Sequence, residues 1–395
     1  MSESDAIVIT GLARTPMGGM QGVFSTVTAA ELGAVAIKAA LARAGVAAEE
    51  VEEVIMGNVL PAGQGQAPAR QAALGAGLPK SSGCTTINKM CGSGLKAVML
   101  ANDLLKAGSN KLMVAGGMES MTNAPYLIPK ARGGYRYGHG TMYDHMALDG
   151  LEDAYEKGTA MGVYAERTVE KYGISREAQD EFAIESLRRA KLANDDGSFE
   201  FEITPVEVQT RKGSETVSRD EQPDKGRPDK IPSLRPAFKK DGTVTAATAS
   251  SISDGAAALV MMRESEAKAR GSEVLGRIVG HSSHAREPGE FTVAPVYAIR
   301  SLLEKLNWKA ADVDLWEINE AFAVVTMAAM QEHGLDHAKV NVHGGACALG
   351  HPIGASGARI AATLLAAMRK QDAKRGIASL CIGGGEAVAV AFERD

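Results

Sequence analysis

Apolar residues along this chain follow two rhythms. Short continuous runs at Ala6–Thr10, Val54–Asn58 and Lys111–Gly116 read as strands buried on both faces. Between them, Ala29–Ala44 and Ser93–Lys106 carry Ala and Leu at helical spacing, which predicts two helices. Strand and helix alternate, and that alternation points to an α/β fold.

The plan is written twice. Ala36-Ile37-Lys38 through Val51 to Gly57 aligns without gaps to Ala298-Ile299-Arg300 through Val313 to Asn319, 262 positions later. Ser93-Gly94 before one predicted helix matches Ser356-Gly357 before another, 263 positions later. Each half closes on an apolar strand after glycine, Ala256–Met262 in the first and Ala387–Phe392 in the second. Two segments in the same order at nearly one offset argue for duplication over coincidence.

The first half holds an extra polar, Gly- and Pro-rich stretch between Gly117 and Asp254. Gly173–Leu192 within it carries a helix cap at Ser175 and apolar residues at helical spacing, so the stretch reads as a folded excursion rather than a disordered one. The expected division is a first half at 1–121 plus 253–273, a loop domain at 122–252 and a second half at 274–395.

Composition narrows the function classes. The chain has 395 residues, 45% of them hydrophobic, and a net charge of -5 with both signs interspersed. No basic block suggests nucleic acid, and no apolar run reaches the ~18 residues of a membrane span. Four cysteines without a CxxC pair suit neither a disulfide framework nor a zinc site. The opening MSESDAIVIT resembles neither a signal nor a transit peptide, so a cytoplasmic protein with reduced thiols is expected.

The candidate chemistry gathers at four places. In TTINKMCGSGLKAVMLA, Cys91 stands between a strand-like run and a glycine-rich helix start, where the helix dipole should lower its pKa. A free cysteine is also commonly a small core residue, and local context leaves the two readings level. In GGACALGHPIGASG, His351 lies just before the repeat-related helix, so the internal symmetry brings it toward Cys91. Cys381-Ile382-Gly383 lies at a strand end, where α/β enzymes build sites. Asn319 ends another strand-like run and suits either an oxyanion-binding role or a helix cap. Cys84 and Cys347 read as structural, and His333 and His337 as surface residues.

With NKMCGSG (88–94), GGMESM (116–121), NEAFA (319–323), GGACALGHPIGASG (344–357) and CIGGG (381–385) in one order, the chain closely resembles the thiolase family over essentially its whole length. The resemblance implies two βαβαβαββ halves, a five-layer αβαβα core and an inserted loop domain. It implies a ping-pong reaction: Cys91 becomes acylated with His351 accepting its proton, and Cys381 removes an α-proton from acetyl-CoA. One oxyanion hole is implied at His351 with a water on Asn319, the other at the N–H groups of Cys91 and Gly383. Met161, Ala246, Ser250, Phe291 and Phe322 are implied CoA or acyl contacts. The implied assembly is a dimer or tetramer, with no metal and no cofactor beyond the CoA thioester. Two departures, Ala160 for a common His and Phe291 for a common Met, bear on acyl-chain preference. A decarboxylating ketoacyl synthase would place His where Cys381 stands, and a papain-like protease would order its residues differently. A non-catalytic acyl-CoA binder would have lost one of Cys91, His351 or Cys381.

Overall fold

The computed structural model describes residues 5–211 and 213–395, so the first four residues of the opening segment lie outside the described residues. The first half runs β1 (Ile7–Arg14), α1 (Ala29–Ala44), β2 (Glu53–Gly57), α2 (Pro68–Gly75), β3 (Gly83–Ile87), α3 (Ser93–Ala107) and β4 (Leu112–Ser120). An excursion follows with helices α4 (Met161–Tyr172) and α5 (Arg176–Asp195) and the hairpin β5 (Val206–Thr210) and β6 (Gly213–Val217). Strand β7 (Ser253–Arg263) then returns to the first half. The second half runs β8 (Gly276–Ala285), α6 (Ala294–Leu306), β9 (Leu315–Ile318), α7 (Ala323–His333), α8 (Ser356–Lys370), β10 (Arg375–Ile382) and β11 (Glu386–Glu393).

Local chemistry sets the helix ends. Thr28 and Glu31 form a reciprocal capping box at the start of α1, and Gly45 at φ 64 closes it. Ser175 caps α5 as its spacing predicts, its Oγ accepting the Ala178 N–H at 3.1 Å.

The strands form one path, β9-β10-β11-β8-β1-β7-β4-β2-β3. The two halves meet edge to edge where Ile7 to Ile9 of β1 pair antiparallel with Ile278 to Gly276 of β8. The duplication reaches into irregularities: β1 slips register against β7 between Ile9 and Gly11, and β8 slips against β11 between Ile278 and Gly280. One element departs from the symmetry. β3 pairs with β2 over five residues, whereas its counterpart beside β9 is the single bridge Trp316–Val340.

Side-chain alternation sorts the layers. Along β7, Ala257, Leu259 and Met261 face a central core built with α3 and α8. Ala256, Ala258, Val260 and Met262 face an outer core built with α1 and α2. In the second half α6 and α7 cover the outer face. The layers are therefore helix, half-sheet, central helices, half-sheet, helix. The central pair touch backbone to backbone: a Cβ at Gly357 would lie 2.2 Å from the Leu95 nitrogen, and one at Gly94 2.6 Å from the Ala358 nitrogen. This contact brings the starts of α3 and α8 together, and with them the segments that precede each.

The excursion is tied to this core by a buried charge cluster. Arg14 on β1 meets Glu202 at 2.6 Å and Asp220 at 2.7 Å, and all three side chains are fully buried. Its guanidinium also lies 4.6 Å over the Phe199 ring.

Candidate active site

Cys91 follows β3 on a tight turn. Met90 adopts φ 46, a conformation that non-glycine side chains rarely accept, and the turn is pinned to offset this. Asn88 Oδ1 accepts the Met90 N–H at 2.9 Å, Ser93 Oγ accepts the Lys89 N–H at 2.8 Å, and Lys89 pairs with Glu386 at the start of β11. The result points Cys91 at a cavity of about 290 Å³.

The expected lowering of the Cys91 pKa is not what the structure gives. Helix α3 begins at Ser93 with Gly92 as its cap, so Cys91 precedes the helix. Burial pushes the thiol up to about 11, and the nearby Glu119 charge adds to this. The backbone N–H groups of Gly383 and of Cys91 itself work in the opposite direction. Desolvation outweighs the helix dipole here because the dipole fades within a turn.

His351 shares the cavity with Cys91. Its backbone N–H is held by the Ser251 carbonyl at 3.1 Å and by Ser253 Oγ at 3.2 Å. Its Nδ1 lies 2.6 Å from Ser356 Oγ, and that hydroxyl donates to the Pro352 carbonyl at 3.0 Å. Ser356 therefore accepts from Nδ1–H, and this assignment of the network leaves Nε2 as an unprotonated acceptor. Among the described residues Nε2 is buried and has no partner. Burial, reinforced by Arg359, lowers the imidazole pKa to about 3, so the ring is neutral at ordinary pH. A neutral ring with a free acceptor nitrogen is equipped to take a proton.

Asn319 directly follows β9 but caps nothing, since α7 begins four residues later behind Phe322. Its side chain lies 3.5 Å from both His351 Nδ1 and Arg359 Nη2. Cys381 is fully buried on β10 behind the cavity. Burial raises its thiol well above the ordinary value, and the charge of the nearby Cys91 adds to the effect. Gly383 lines the cavity beside Cys91.

The wall is apolar. Met161, Ser250, Phe291 and Phe322 line it, whereas Ala246 is exposed and lies outside the lining. The turn Thr245–Ala249 places Ala249 and Ser250 inward, and Ser250 is tied to the Ala321 carbonyl by both its N–H and its hydroxyl. Phe238, Met121 and Ile353 also line the cavity and were not foreseen. Phe238 sits in a polar stretch with no periodicity, so only its edge-on contact with Phe322 at 5.8 Å reveals its place. His333 and His337 are not simply surface residues. His333 Nε2 meets the Val296 carbonyl at 2.9 Å, and His337 stacks on Phe182. Cys347 packs beside the Glu320 carbonyl and Cys84 sits on β3, which fits a structural reading of both. Among the described residues no group of three or more His, Cys, Asp or Glu is placed to hold a metal, and no helix is long and apolar enough to cross a membrane.

Comparisons with known proteins agree with this geometry. The N-terminal domain model of thiolase matches residues 7–265, and the C-terminal domain model matches residues 272–394. An acetyl-CoA acetyltransferase of Cupriavidus necator is 50% identical over 390 residues, spanning 98% of this chain and 99% of that protein. Acetyl-CoA acetyltransferase 2 of Arabidopsis thaliana is also 50% identical, over 98% of this chain and 96% of that one. The crystal structure of Acat5 thiolase from Ascaris suum in complex with coenzyme A superposes with a TM-score of 0.93 at 40% identity, covering 99% of this chain and 100% of that chain. With both domain models matched in order and the duplicated five-layer core in place, the chain belongs to the thiolase family.

Proposed function

We propose that this thiolase catalyses the reversible condensation of two acetyl-CoA molecules to acetoacetyl-CoA and CoA, through an acyl-Cys91 intermediate. One observation carries the reading: Cys91 and a neutral His351 with an unpartnered Nε2 line the same apolar cavity. The Cys91 proton passes to His351 Nε2 as the sulfur attacks the thioester carbonyl. The oxyanion that forms is received by the N–H groups of Cys91 and Gly383. The C–S bond to CoA then breaks, and the departing sulfur takes its proton from Cys381, which is left as the thiolate while His351 keeps the Cys91 proton on Nε2.

In the second half-reaction Cys381, as thiolate, takes an α-proton from acetyl-CoA. The enolate oxygen is received by the Nε2–H that His351 gained from Cys91, together with a water held on Asn319, and the carbanion attacks the acyl carbonyl. As the bond from the acyl carbon to Cys91 breaks, the departing sulfur takes its proton back from His351 Nε2, and Cys381 ends as the neutral thiol. Two neighbouring thiols oppose each other's ionisation, so both rest protonated and no more than one carries a negative charge at any step. A thiol rather than a histidine at Cys381 suits condensation by proton removal rather than by decarboxylation. Residues 122–252 act as the loop domain, with Met161, Phe238, Ser250, Phe291 and Phe322 walling the acyl and pantetheine path. The reaction takes no metal and no further cofactor. Exposed Tyr126, Ile128, Tyr137 and Met142 in that segment support a homo-oligomer formed through it.

The test is to incubate the protein with acetyl-CoA, quench in acid and map the adduct by mass spectrometry. Acetyl on Cys91 is expected. Acetyl on Cys381 or Cys347 and none on Cys91 overturns the reading.

A further inference from the structure

Glu119, near the C-terminal end of β4, is fully buried. Among the described residues no cation faces it, and its recorded partners are all donors. Oε2 accepts the Val59 N–H at 2.9 Å and the Gly354 N–H at 2.8 Å. Oε1 accepts the Leu60 N–H at 3.1 Å and Asn58 Nδ2 at 2.8 Å. Three of these donors belong to the loop after β2 in the first half. The fourth, Gly354, belongs to the second half and lies three residues after His351.

A second observation concerns the space around Gly354. A Cβ at Gly117 would lie 2.1 Å from the Gly354 carbonyl oxygen, and one at Gly57 2.7 Å from the same atom. A Cβ at Gly354 itself would lie 2.5 Å from Glu119 Oε2. The segment that carries His351 is therefore wedged, backbone to backbone, between the ends of β2 and β4, with the Glu119 carboxylate at its base. Glu320 grips the other end of that segment, accepting the Cys347 N–H at 3.1 Å. His351 lies between the two grips.

We propose that Glu119 is a positioning residue that registers the His351 segment of one half against the Cys91 turn of the other. The first-half loop and the second-half segment share no strand pairing, so their relative placement rests on contacts of this kind. The carboxylate satisfies both from one rigid group. A protonated or amide group in its place would turn a donor toward one of the N–H groups and open the register. Burial pushes the Glu119 pKa up to about 7, against the pull of the Val59, Leu60 and Gly354 N–H groups, and the buried Asp254 faces it as a second acid. Cys91 feels the Glu119 charge in turn.

The inference rests on the reading that His351 takes the proton of Cys91 during acylation. The test compares the full-length protein with Glu119→Gln. Three quantities are read: the thermal midpoint, the single-turnover rate constant for acetyl-enzyme formation at saturating acetyl-CoA, and the acetyl-CoA concentration giving half that rate. A positioning role predicts a folded variant whose acylation constant falls about 10–100-fold, as expected for misplacing a catalytic group by a fraction of an ångström. Half-saturation should move less than twofold, since Glu119 does not line the cavity. A folded Glu119→Gln that acylates within twofold of the parent overturns the proposal, and so does a change confined to half-saturation. If Glu119→Gln does not fold, Glu119→Asp carries the test. It keeps the charge but is one methylene shorter, and its acylation should slow about 3–10-fold; acylation at the parental rate overturns the proposal. Failure of the parent protein itself to form acetyl-Cys91 would instead count against the proposed function.

Discussion

Replacing His351 with Asn tests the proton transfer at the centre of the site. The amide of Asn can keep the hydrogen bond that Nδ1–H gives to Ser356 Oγ, at 2.6 Å in the parent, while the Nε2 acceptor is removed. Without that acceptor, Cys91 can attack only as a thiolate already formed. The replaced ring is neutral, so its loss removes no charge from the neighbourhood and the thiol stays near 11. At pH 7, four units lower, roughly one molecule in 10⁴ carries the thiolate. Acylation by His351→Asn should therefore fall by about 10⁴ at pH 7, at the upper end of the usual worth of general-base catalysis. It should then recover about tenfold per pH unit up to pH 10. Across pH 5 to pH 9 the parent should be nearly flat above pH 8, because an imidazole with a pKa of about 3 is already an unprotonated base there, and should decline only below about pH 7, as Glu119 takes up its proton. The assay is rapid acid quench of acetyl-enzyme across that range. A His351→Asn variant that acylates within tenfold of the parent at pH 7, or a parent rate that climbs tenfold per unit above pH 8, would refute the reasoning.

Cys381→Ala should still form acetyl-Cys91 but lose condensation by about 10²–10⁴ and stop exchanging the methyl protons of acetyl-CoA with deuterated water. Near-normal condensation would remove Cys381 from the base role and leave His351 to serve both steps. Phe291 is buried on the cavity wall with its ring 6.1 Å edge-on to Tyr164, so Phe291→Leu should open the acyl end. The kcat/KM of a six-carbon 3-ketoacyl-CoA should then rise about 10-fold relative to acetoacetyl-CoA, the usual worth of one or two methylenes, and an unchanged ratio would place the specificity elsewhere. Arg14→Met leaves Glu202 and Asp220 buried without their cation and should cost about 3–5 kcal/mol in urea unfolding. A loss below about 1 kcal/mol would mean that the carboxylates find other partners or protonate without penalty.

Much of the architecture was legible along the chain because duplication leaves a periodic trace. The predicted helix Ala29–Ala44 has those bounds in the structure, and the predicted strand Ala256–Met262 lies inside Ser253–Arg263. The alignment that pairs Gly57 with Asn319 makes the strand starts Glu53 of β2 and Leu315 of β9 equivalents, although β9 ends one residue earlier, at Ile318. The pairing of Ser93-Gly94 with Ser356-Gly357 anticipated that two helix starts meet, which the approach of Gly357 to Leu95 realises. Cys91, His351, Asn319 and Cys381 were each marked by local context, and the family motifs named them together.

What the sequence by itself determined is whatever depends on neighbours in the chain: strand and helix periods, the Ser175 cap, the glycines that permit close approach, and the residue types present in each motif. The tertiary structure decided the rest, because the quantities that matter there come from residues distant in sequence. The Cys91 pKa is one case. The chain shows a cysteine near a helix start, which argues for a lowered value, but the enclosing protein and the charge of Glu119 raise it. The free Nε2 of His351 is another, since it follows from the short bond between Nδ1 and Ser356. The exposure of Ala246, the inward turn of Phe238 and the grip of Glu119 across both halves are of the same kind. Desolvation and hydrogen-bond partnership depend on which atoms surround a group in space, and chain order carries no record of that until the fold has closed around it.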